Sequence, residues 1–183
     1  MRGSALAEVG AILDGLGIGW AVFGALAANV YRAETRFTQD LDLLLNDPPP
    51  GIAPVEAALR AAGWQVRRAI PDGMMLRARH PNHGDVDLVV AETAYQVEAL
   101  ARAREEPLSD GERVRVLAVE DIVLHKLIAG RARDLADIES ILDALPPMDE
   151  AYLDRWASAW EVLDLWRRLQ QAAMARREVT RSG

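Results

Sequence analysis

Apolar residues recur at three- and four-residue intervals from Leu6 to Leu16 (Leu6, Val9, Ile12, Leu13, Leu16), and the run stops at Gly17. That spacing is one buried helix face with a glycine stop. Residues 18–23 (Ile-Gly-Trp-Ala-Val-Phe) read as a buried strand, and Gly24 opens a helix-like run to position 32. A second strand is expected at 39–45, where Leu41 and Leu43 alternate with Asp40 and Asp42. Asn46-Asp47-Pro48-Pro49-Pro50-Gly51 breaks the chain, and a short helix follows at 54–62 before Gly63. Strand-like runs at 64–70 and 74–80 flank Pro71-Asp72-Gly73, a hairpin signal. Pro81-Asn82-His83-Gly84 then turns the chain into a further strand at 85–90. A helix at 93–105 and a strand at 113–118, with Val114, Val116 and Ala118 alternating, come next.

From Val119 onward the pattern is helical, interrupted at Gly130 and at Pro146-Pro147. The last helix, about 149–176, places Leu153, Trp156, Trp160, Leu163 and Trp166 on one stripe. Such a stripe either docks the helix on its own domain or receives a base or a partner. The expectation is an α+β chain: a mixed sheet with helices over residues 1–118, then a helical portion over 119–183.

The acidic strand carries the chemistry. Side chains alternate along a strand, so Asp40 and Asp42 share a face about 7 Å apart while Leu41 and Leu43 point into a core. Two like charges on a mostly buried strand cost several kcal/mol unless a cation sits between them. Mg²⁺, which takes one or two carboxylates plus substrate phosphates, suits the pair best; a solvated strand rim is the plain alternative. Strand, Gly24, helix is a layout that aims backbone N–H groups at a phosphate. Asp85-Val86-Asp87 repeats the acid-apolar-acid pattern on a second strand. A nucleotide-plus-Mg²⁺ site accounts for all of these features together.

Phe23-Gly24-Ala25, Arg36-Phe37-Thr38-Gln39-Asp40-Leu41-Asp42 and Val86-Asp87-Leu88 resemble the ordered motifs of the polymerase-beta-type nucleotidyltransferases. The segment from Val119 to Ile138, with Lys126, Arg131, Asp134 and Asp137, is similar to the AbiEii-like branch, which includes toxins of toxin–antitoxin systems. The likeness runs from about Trp20 to Leu142. It implies a mostly antiparallel nucleotidyltransferase sheet flanked by helices and an enzyme moving an NMP from an NTP onto an acceptor hydroxyl. It also implies Asp40, Asp42 and Asp87 as metal ligands, with Mg²⁺ or Mn²⁺ as cofactor and Asp87 taking the acceptor's proton. Gly24 and Ala25 would cradle the triphosphate, and Lys126 would reach its β- or γ-phosphate. Thr38 and Arg36 are candidates for phosphate or metal-bound water; strand propensity alone also explains Thr38. Asp134 and Asp137 are candidates for contacts near the nucleotide, although an ion-pair ladder with Arg131 explains their spacing equally. Asp85 is either a ligand or a solvated strand end. Arg77 and Arg79 line an acceptor groove or simply the surface.

Ala25 stands where the family has Gly or Ser, which removes a hydroxyl contact and leaves a catalytically weak nucleotide- or partner-binding module as the alternative. The favoured acceptor is tRNA, another RNA or a protein, with a cognate antitoxin as partner; a small molecule such as an antibiotic is the other choice.

Composition narrows the picture further. The chain has 183 residues, half hydrophobic, and a formal net charge of −7, so a broad nucleic-acid footprint is not indicated. Arg167, Arg168, Arg176, Arg177 and Arg181 crowd the C-terminal end, as a local basic patch or a solvated helix end. Among 21 basic residues Lys126 is the sole lysine; either a compact point charge rather than a planar fork is wanted there, or it is a stray surviving residue. No apolar run approaches 18 residues and Met1-Arg2-Gly3-Ser4 does not look like a signal peptide, so a cytoplasmic protein with no membrane contact is expected. There is no cysteine, and His80, His83 and His125 lack zinc-ligand spacing. No G-x-x-x-x-G-K-[ST] loop is present, which argues against a P-loop NTPase.

Overall fold

Alternation on the strands sorts the molecule into an apolar face and a charged one. The computed structural model describes residues 2–38, 40–47, 51–69, 75–107 and 113–182. Its elements run α1 (Arg2–Gly15), β1 (Trp20–Phe23), α2 (Gly24–Tyr31), β2 (Asp40–Leu45), α3 (Ala53–Ala61), β3 (Gln65–Arg68), β4 (Met75–His80) and β5 (Gly84–Val90). They continue with α4 (Ala94–Ala101), β6 (Arg104–Pro107), β7 (Arg113–Val116), α5 (Val119–Ala129), α6 (Ala132–Ala144), α7 (Glu150–Ala159) and α8 (Leu163–Ser182). The seven described strands form one sheet in the order β3-β4-β5-β2-β1-β7-β6. β2 is parallel to β5 and β1 to β7; the other neighbours are antiparallel. The α+β, mostly antiparallel expectation therefore holds.

Two compact units are present. The first comprises Met1–Ala27 and Phe37–Leu117, the second Ala28–Arg36 and Ala118–Gly183. In the first unit, register places Val66, Ala78, Val86, Leu41 and Leu76, Leu88, Leu43, Val22, Val116 in two cross-strand rows on one face of the sheet. All of them are buried, as are Leu6, Val9 and Leu13 of α1 and Val55 and Leu59 of α3. Burying a side chain of this size contributes roughly 1.5–3 kcal/mol, so these rows hold the sheet.

The second unit is helical. α5 packs on α6 and α7, and α8 on α6 and α7. Buried acids at the start of α5 tie it to α7: Glu120 accepts from the Asp149 N–H at 2.7 Å, and Asp121 from the Tyr152 hydroxyl at 2.6 Å. Gly130, at φ +60, ends α5 as its sequence position suggests. Three of the C-terminal arginines are paired with neighbouring groups although Arg167 and Arg176 remain solvent-exposed, and the Arg181 side chain lies outside the described residues. Arg167 pairs with Asp154, Arg176 with Asp143, and Arg177 donates to the Leu142 carbonyl.

Two expectations need correction. The helix over 93–105 is shorter: Thr93 and Gln96 form a capping box, α4 stops at Ala101, and residues 104–107 are an edge strand. Arg104-Glu105-Glu106-Pro107 has no apolar alternation because its strand character comes from pairing with β7. The helix over 149–176 is two helices, broken where Glu161 adopts φ +57, so the tryptophans share no single face. Trp166 is fully buried and Trp160 is 39% exposed. The rings of His80 and His83 lie 4.5 Å apart and both approach Trp64. The Pro71-Asp72-Gly73 hairpin, the Pro48–Pro50 break and Gln39 lie outside the described residues.

His125 on α5 gives the second unit a pH dependence. Burial, with the neighbouring Lys126 charge adding to it, pushes its imidazole from the usual 6.5 down to about 4. Between those values the unfolded chain binds a proton that the folded one refuses, so stability falls as pH drops from 6.5 towards 4. Thermal melts should show a loss of about 1–2 kcal/mol between pH 7 and pH 5, and His125→Gln should flatten that part of the profile.

Candidate active site

The charged face of the sheet is defined by the same register as the core. Asp42 lies beside Asp87 and Asp40 beside Asp85 across the parallel β2–β5 pair; Arg77 opposes Asp87 and Arg79 opposes Asp85 on β4. Arg67 on β3 extends the first row beyond Arg77. Side chains of directly opposed residues stand about 5 Å apart, so carboxylates and guanidinium groups form a two-row grid. Asp40 is exposed, whereas Asp42 and Asp87 are half-buried.

Asp87 is fully engaged. Arg77 donates to both of its oxygens, from Nε at 2.6 Å and Nη2 at 2.7 Å. That bond and the Asp87 charge raise the Arg77 pKa, with Asp85 and Asp40 adding to it against burial. The Arg79–Asp85 pair is longer, at 3.5 Å, and more exposed.

Gly24 is the first residue of α2 and has φ +68. A Cβ there would meet Oδ2 of Asp42 at 2.0 Å, so the absent side chain is what lets that carboxylate lie against the start of the helix. A negative charge is favoured at such an end. Ala25 follows, half-buried, in the first turn. Thr38 is buried and lines a small cavity with Ala5, Leu26, Leu41, His83, Asp40 and Asp85.

The donor set is chemically right for a hard divalent cation: Asp40, Asp42 and Asp87 offer only carboxylate oxygens from one face. Among the described residues, no three His, Asp or Glu side chains converge as a ready metal cluster. Asp87 points instead at Arg77.

The remaining sequence candidates, Arg36, Lys126, Asp134 and Asp137, belong to the second unit and meet there around Asp137. This carboxylate is buried and faces Lys126 Nζ at 2.5 Å, Arg32 Nη1 at 2.9 Å and Arg36 Nη2 at 3.2 Å. Lys126 also lies 3.6 Å from Asp134, which pairs with Arg131 at 2.5 Å. Burial works to raise the Asp134 pKa, but the Arg131 hydrogen bond and charge, with Lys126, hold it below the usual value. Lys126 is therefore a buried, doubly paired cation and not a free ammonium facing an empty cleft. Asn29 fixes Arg36 by accepting from its backbone N–H at 3.0 Å and donating to its carbonyl at 2.7 Å. Arg32 was not legible as a site residue; one arginine among many carries no motif, and its partner lies over a hundred positions away.

A sheet of this topology, with paired acids on neighbouring strands beside a glycine-started helix, defines the nucleotidyltransferase class. The family model for the nucleotidyl transferase AbiEii toxin of type IV toxin–antitoxin systems matches residues 9–178, and the chain belongs to that family of enzymes. No curated protein matches the chain. Among solved structures, the solution structure of the antibiotic-resistance factor ANT(2'')-Ia is similar at TM-score 0.59 and 18% identity, over 98% of this chain and 100% of that one. Its complex with adenylyl-2''-tobramycin aligns at TM-score 0.58 and 18% identity, over 94% and 97%. An antigenic nucleotidyltransferase-like protein from Paracoccidioides brasiliensis aligns at TM-score 0.57 and 20% identity, over 94% and 91%. At these identities the likeness is one of fold. No helix of the described residues is long and apolar enough to cross a membrane.

Two outcomes follow from this geometry. Gly24→Ala should cost about 1–2 kcal/mol from the left-handed backbone alone, plus the eviction of Asp42. In chemical denaturation the same change should therefore cost less in an Asp42→Ala background than in the parent. Asp137→Asn should cost about 3–5 kcal/mol, because Arg32 is left buried without its counter-charge and Lys126 keeps only the longer contact with Asp134. Lys126→Met should cost clearly less in the same measurement, since Asp137 keeps two arginines.

Proposed function

We propose that this chain transfers a nucleoside monophosphate from an NTP to an acceptor hydroxyl on the acidic face of β2 and β5. The observation that carries the reading is the register that sets Asp42 beside Asp87 while Asp42 also lies against Gly24 at the start of α2. Asp40, Asp42 and Asp87 would hold Mg²⁺, with Mn²⁺ as a substitute. When bound, the metal supplies charge neutralisation at the attacking and leaving oxygens.

The chain's own residues do the rest. Asp87, released from Arg77, accepts the proton of the acceptor hydroxyl as that oxygen bonds to the α-phosphorus. The bond from the α-phosphorus to the pyrophosphate oxygen breaks, and pyrophosphate leaves. The Gly24 and Ala25 N–H groups, unpaired by position in the helix, hold the triphosphate. Thr38 offers a hydroxyl at the approach to β2. Arg36, Lys126, Asp134 and Asp137 hold one another within the second unit, where their ion pairs secure the helical portion. The acceptor is an RNA or a protein, in keeping with the toxin family, and a cognate antitoxin is the natural partner. One observation favours a weaker second reading, a nucleotide-binding module of low activity: Asp87 is held by Arg77 in the present arrangement.

The test is transfer of label from each α-³²P NTP, with Mg²⁺, to bulk tRNA, total protein or an aminoglycoside. The expected result is label in the RNA or protein fraction, lost at least 100-fold in Asp42→Asn. Label on the aminoglycoside alone would reassign the acceptor. No transfer from any NTP, with nucleotide binding intact, would favour the binding module.

A further inference from the structure

Resting on the metal-binding reading above, we propose that Arg77 is an internal counter-ion that keeps Asp87 occupied until a divalent cation arrives. Its displacement would set the protein's affinity for that cation. Four observations converge. Arg77 stands directly opposite Asp87 in the antiparallel register of β4 and β5. It binds the carboxylate in a two-pronged fork, at 2.6 and 2.7 Å, a geometry that engages both oxygens at once. Asp87 is only 18% exposed, so it gains less from water than a surface carboxylate would and needs a cation partner. The Arg77 side chain is itself 42% exposed, so it has solvent to swing into when it lets go.

The exchange is a competition between two cations for the same oxygens. In the metal-free protein, the Asp42–Asp87 repulsion across β2 and β5 is offset by Arg77, and the charged face is stable without a bound ion. A divalent cation must break the fork before Asp87 can join Asp40 and Asp42. Arg77 is thus a positioning residue that acts on metal entry. Arg79 is the internal comparison: it sits two residues along on the same face, but its pair with Asp85 is 3.5 Å long and its side chain is 74% exposed.

Mn²⁺ binding to the nucleotide-free chain, followed by electron paramagnetic resonance of the free ion, tests the proposal without reference to activity. Arg77→Gln should tighten Mn²⁺ binding three- to tenfold, and Arg77→Lys, which cannot form the fork, should fall between it and the parent. Arg79→Gln should change it less than twofold. In an Asp87→Asn background, Arg77→Gln should lose its effect. Equal tightening by Arg79→Gln would reduce Arg77 to a general field and overturn the proposal. So would an unchanged affinity in Arg77→Gln while the parent binds Mn²⁺ through Asp42, which would leave the metal reading standing. If neither the parent nor Arg77→Gln binds Mn²⁺, with or without NTP, both readings fall.

Discussion

The parallel pairing of β2 with β5 is the constraint on which the first unit rests. Because side chains alternate, the register that brings Leu43 beside Leu88 in the core also brings Asp42 beside Asp87 on the other face. A slip of one residue would turn carboxylates into the core and leucines to the charged face. Hydrophobic burial thus holds the acids in place. The energy that positions them comes from the leucines and valines between them, which are buried on the opposite face of the sheet.

The two units solve the burial of charge differently. On the sheet, carboxylates and guanidinium groups lie in rows with partial access to water, so each pair can open at modest cost. Around Asp137, Lys126 and Arg32 share a buried carboxylate with the more exposed Arg36, whose backbone the Asn29 side chain pins. Opening that hub would strand a charge in a low-dielectric setting. One arrangement suits exchange of partners, the other permanence.

The acidic strands, the glycine that opens α2 and the break at Gly130 were legible in the sequence because each is written locally, in alternation or in backbone freedom. β6 was not, since Arg104–Pro107 is a strand only by virtue of β7 beside it. The break before α8 was hidden too: nothing about Glu161 announces a left-handed backbone, and the apolar spacing runs straight through it. Among the site candidates, the shared strand face of Asp40, Asp42 and Asp87 could be read, but not the partners of these acids or of Lys126. That Arg77 grips Asp87, or that Arg32 and Lys126 meet on Asp137, depends on chain segments brought together by folding, and residue type alone does not encode it.

Gly24 and Asp42 also have an unequal inheritance. The positive φ keeps Gly24 useful to the backbone even if no carboxylate ever lies against it, whereas Asp42 needs Gly24 to have room. Descent can therefore lose the acid and keep the glycine, but rarely the reverse. Within a lineage of such chains, a retained glycine at position 24 facing a neutral residue at 42 would be the trace of a lost charge on an intact fold.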